Sequence, residues 1–64
     1  MSETCIREID KAVRHAVQTG DTLFVALVAK GISALCGGSP QHIAEELTRA
    51  GIRAGVTMPF GRPD

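Results

Sequence analysis

The sequence predicts an all-α fold: a small three-helix domain, built as a helical hairpin plus a third helix, with an extended C-terminal arm and a dimeric assembly. Three observations carry this expectation. Capping residues and glycines punctuate the chain at helical intervals. Apolar residues between them recur with three-four spacing. The composition is aliphatic, with no Trp, no Tyr and two Phe in 64 residues, which suits a core of packed helices. At this length the chain forms one unit, near the lower limit for a single core without disulfides, metal or oligomerisation. The expected division is 1–52 for the helical domain and 53–64 for the arm.

Ser2 is placed to cap a first helix, with Glu3 at the positive end of its dipole. Ile6, Ile9, Val13 and Ala16 then form a narrow apolar seam. Glu3 with Arg7 and Asp10 with Arg14 are acid-then-base pairs four residues apart on the wet side, each contributing about 0.3 kcal/mol. Gly20 is the expected left-handed stop.

Asp21 is the expected cap of a second helix, TLFVALVAKGISALC, from Thr22 to Cys36, stopped by Gly37 and Gly38. Lys30 is its only charge. Thr22, Ala26, Ala29, Lys30 and Ser33 would form a polar stripe, leaving Leu23, Phe24, Val25, Leu27, Val28, Ile32, Leu35 and Cys36 as a broad apolar wall. The competing reading, a buried strand from Leu23 to Ala29, suffers from its alanines and from the lack of a comparable second strand.

Ser39 and Pro40 announce a third helix by a capping hydroxyl followed by proline at the first helical position. It is expected to bury Ile43, Ala44, Leu47 and Ala50, to pair Glu45 with Arg49, and to end at Gly51, with Ile52 folding back on Leu47. From Arg53 onward the chain reads RAGVTMPFGRPD, an aperiodic arm in which Val56, Met58 and Phe60 alternate.

The charges limit the function classes. Seven basic and seven acidic residues cancel, whereas a dedicated nucleic-acid binder usually carries a basic excess. The apolar segment is short for a membrane span and carries Lys30. Ser2 to Gly20 lacks the order of an export signal, and two cysteines in such a chain read as thiols in a reducing cytoplasm.

In an antiparallel hairpin turning at Gly20 and Asp21, positions whose numbers add to about 41 lie side by side. Cys5 and Cys36 meet that condition, and His42 begins the third helix near the same end. A disulfide, a thiolate metal site or a redox pair is conceivable there, but buried cysteine acting as a small hydrophobe is the preferred reading. No cofactor or metal is expected. A Cys36–His42 nucleophile pair lacks an orienting carboxylate and an oxyanion site. Arg7, Lys11 and Arg14 share a stripe, with His15 beside it; interleaved acids make this a solvated face.

Two flat amphipathic helices cannot cover the wall of the second, and leaving three large side chains wet would forgo roughly 1.5–3 kcal/mol each. The expected function is therefore a non-enzymatic protein-interaction module, a regulator or inhibitor. Phe24, Val28, Ile32, Met58 and Phe60 would contact a second copy or another protein. The alternative is a dimeric DNA-binding regulator whose third helix presents Gln41, His42 and Arg49 to bases, with Arg53 on the backbone.

Overall fold

The computed structural model describes residues 2–58, and in them the chain is three helices: α1 (Glu3–Thr19), α2 (Val25–Cys36) and α3 (Pro40–Ala54). Phe60, assigned to the arm, lies outside the described residues.

Helix α1 begins where its sequence directs. The Ser2 hydroxyl accepts from the Cys5 N–H, and Gly20, at φ 75°, closes the helix by donating its N–H to the Ala16 carbonyl. The buried seam is Cys5, Ile9, Val13 and Ala16, spaced four, four and three. Ile6 falls one position off this stripe and stays exposed. Both expected ion pairs, Glu3–Arg7 and Asp10–Arg14, are formed on the wet side.

Helix α2 starts three residues later than its apolar run suggests. Asp21 is exposed and does not cap it; Phe24 occupies the cap position without a side-chain hydrogen bond. The reason is a competing partner. The Leu23 N–H donates to the Thr57 carbonyl at 2.8 Å, and the Leu23 side chain is buried, so this backbone is held extended against the segment after α3. The face that α2 buries also differs from the expected wall. Val25, Ala29 and Ile32 turn inward, Ala29 among them although it was assigned to the polar stripe, while Leu27 and Leu35 are each 70% exposed. A small Ala29 at the centre lets α2 approach its neighbours closely.

Helix α3 has the expected entry, with the Ser39 hydroxyl accepting from the His42 N–H and Pro40 in the first turn. It runs past Gly51 to Ala54. Gly55, at φ 76°, is the left-handed residue, and the N–H groups of Gly55 and Val56 return to the carbonyls of Ile52 and Gly51. That is the Schellman close, displaced four residues from its expected place. Gly51 is instead a buried helical residue, and Ile52 points outward at 68% exposure rather than onto Leu47. Its charges pair differently too: Glu46, not Glu45, meets both His42 and Arg49.

The core is aliphatic, as the composition requires. Cys5, Ile9 and Val13 of α1 meet Val25, Ala29 and Ile32 of α2 and the fully buried Ile43 and Leu47 of α3, with Leu23 and Met58 closing one end. At the other end Cys5 and Cys36 form a disulfide, with Cα atoms 5.4 Å apart. The hairpin register placed these residues together; the preferred reading of free, hydrophobe-like thiols is corrected. With a core this small, a covalent tie across a span of 31 residues supplies stability that packing alone would have to find elsewhere.

Candidate docking groove

An open groove of about 860 Å³ lies between α1 and α2, from the connection that joins them along α2 to Leu35. Phe24, Val28, Gly31 and Leu35 form its α2 wall, and Glu8, Lys11, Ala12 and His15 its α1 rim. These α2 residues share one stripe because they are spaced four, three and four, about a quarter turn from the buried stripe of Val25, Ala29 and Ile32. Phe24 is 52% exposed. Leu35 is 70% exposed, and Leu27, equally exposed, lies outside the groove lining. The rim charges are unspent: among the described residues, Glu8, Lys11 and His15 take part in no ion pair.

Of the residues the sequence put forward for partner contact, Phe24 and Val28 line this groove. Ile32 lines its floor but is buried in the core. Met58 does not project at all. Its side chain packs against Gly51 and it is buried inside its own chain, so its place in an exposed docking arm is corrected. An exposed groove-lining residue that the sequence did not put forward for contact is Leu35. Its signal was present in the three-four spacing from Phe24, which defines a second stripe on α2 distinct from the one that faces the core.

Gln41, His42, Arg49 and Arg53 are all exposed on α3. Glu46 lies between His42 and Arg49 and pairs with each, at 3.9 and 3.5 Å, placing a carboxylate where phosphates or base edges would have to come.

A smaller cleft of about 240 Å³ flanks the disulfide, lined by Ser2, Cys5, Cys36, Gly38, Ser39 and His42 among others. Cys5 is buried, its Sγ close against Gly38, whereas Cys36 is half-buried. Among the described residues no three His, Cys, Asp or Glu side chains come together as metal ligands. No buried side-chain polar atom among them lacks a hydrogen-bond partner. None of their helices is long and apolar enough to cross a membrane.

The fold and groove thus define a disulfide-closed three-helix domain with one apolar helix stripe left uncovered. No family model matches the sequence, and neither the curated proteins nor the solved structures contain a match to it.

Proposed function

We propose that the chain is a small non-enzymatic interaction module, a regulator or inhibitor, that docks another polypeptide in the groove between α1 and α2. The observation that carries this reading is the uncovered stripe itself: Phe24 and Leu35 are more than half exposed on a helix whose other face is already spent on the core. Exposed apolar surface of this kind, rimmed by charged residues, is one mark of a protein-docking site. The disulfide supports an oxidising compartment in place of the cytoplasm, because thiol reductants keep cytosolic cysteines apart.

The experiment is dye binding by the oxidised chain, diluted until light scattering finds it monomeric, using a fluorophore that brightens on apolar surface, compared with Phe24→Ser and Leu35→Ser. Bright native fluorescence that both substitutions abolish, with the helical circular-dichroism signal unchanged, supports the groove as the working surface. Fluorescence indifferent to both ends this reading. The alternative, DNA binding through α3, requires an affinity for duplex DNA that falls steeply with salt and is weakened by Arg49→Ala.

A further inference from the structure

We propose that the occupant of the groove is a second copy of this chain, related by a twofold axis that lies in the plane of the groove and runs perpendicular to α1 and α2. This rests on the reading of the groove as a docking surface and names its partner. The first observation is Gly31. It sits in the interior of α2, where glycine is the poorest helix former after proline, and a side chain there would meet nothing within 4 Å. Among the described residues nothing packs where a side chain at this position would go, and a second helix pressed against α2 would need that space.

The second observation is that the groove is palindromic. In an antiparallel pairing of α2 with its copy, Phe24 faces Leu35 at each end. Near the centre Val28 faces Gly31, a branched side chain over the one position with room for it. Helix α1 then faces its own copy, and its rim repeats the symmetry: Glu8 comes opposite His15, and Lys11 opposite Ala12. The midpoints of the two sets lie between Lys11 and Ala12 on α1 and between Ala29 and Lys30 on α2. Both are equally far along their helices from the bonded Cys5 and Cys36, so one axis at one level of the hairpin serves both helices.

The third is charge. A twofold interface must be complementary to itself. Glu8 and His15, in no ion pair among the described residues, meet twice across this axis. A neutral imidazole N–H can donate to the carboxylate, and the protonated ring adds its charge. Each Lys11 lies between Glu8 of its own helix and Glu8 of the second copy.

The test is the mass in solution of the intact oxidised chain, by light scattering or sedimentation across a dilution series, for the native sequence, G31L, E8K and the charge-exchanged double substitution E8K/H15E. The native chain is expected to dimerise. G31L fills open space in the single chain and so folds, but it closes the gap that receives Val28, and the dimer dissociation constant rises at least about tenfold, which is 1.4 kcal/mol. E8K weakens the dimer and E8K/H15E recovers most of the loss, since the acid and base have only changed places across the axis. A dimer indifferent to G31L and E8K overturns this geometry. A native chain that stays monomeric at every concentration overturns the second copy as occupant. Dye binding that the Leu35→Ser substitution removes would then show that the docking reading survives without it.

Discussion

The end of the Met58 side chain occupies the space that a side chain at Gly51 would need. This relationship ties the segment after α3 to the interior of that helix, and Leu23 touches the same spot from the α1–α2 connection. Gly51→Ala should therefore gain less than the ~1 kcal/mol that alanine ordinarily brings to a helix interior, because the Met58 methyl must move. Met58→Ala should cost about 2–3 kcal/mol as a buried large-to-small change. In the Met58→Ala background Gly51→Ala should recover most of its helix gain. Urea unfolding of the four chains measures this coupling; equal effects of Gly51→Ala in both backgrounds would show that the two residues do not share the site.

Breaking the disulfide should be the largest single loss of stability in the molecule. Closing a loop of this length constrains the unfolded chain by roughly 3–4 kcal/mol, so Cys5→Ser with Cys36→Ser, or reduction of the native chain, should lower the thermal midpoint steeply. Thiol titration of the unreduced protein should find no free thiol. Two freely labelled cysteines in the native state would remove the bond from the structure.

Three glycines of the chain should respond to alanine in different directions. Gly55, at φ 76°, lies in backbone that side chains rarely adopt, and Gly55→Ala should cost about 1 kcal/mol or more by disrupting the close of α3. Gly31→Ala, in open space, should stabilise the dilute chain by up to ~1 kcal/mol. Gly51→Ala should fall between them. Thermal melts at low protein concentration give the order, and a stabilising Gly55→Ala would contradict the left-handed close.

Leu35→Ser should separate function from folding. At 70% exposure the substitution should change stability by no more than about 0.5 kcal/mol, while reducing both dye binding and association. A loss of several kcal/mol would mean that Leu35 is covered within the single chain.

Much of this fold could be read from the sequence, and the failures have identifiable causes. Ser2, Gly20, Ser39 and Pro40 marked their helix ends because capping is a local matter, decided within four residues. The start of α2 and the end of α3 were misplaced because both depend on distant residues. Asp21 is a competent cap, but the Leu23–Thr57 backbone bond across the fold won, and Gly51 resembles a stop until Met58 gives it a buried role. The disulfide was geometrically legible in the hairpin register, but buried cysteine as a small hydrophobe was the preferred reading; spacing cannot report oxidation state. In the groove, Phe24 and Val28 were named and Leu35 was not. The apolar run of α2 carries two stripes, and a sequence alone does not say which of them the other helices take.

The hydrogen bond from Leu23 to Thr57 also sets an order of events during synthesis. The connection between α1 and α2 leaves the ribosome well before its acceptor, since Thr57 follows all three helices along the chain. Cys5 and Cys36 can meet once α2 has emerged, but the opposite end of the hairpin stays unclamped until the residues after Gly55 are made. A released chain cut after Gly55 should therefore hold a bonded hairpin whose turn exchanges its amide protons freely, and restoring residues 56–58 should protect Leu23.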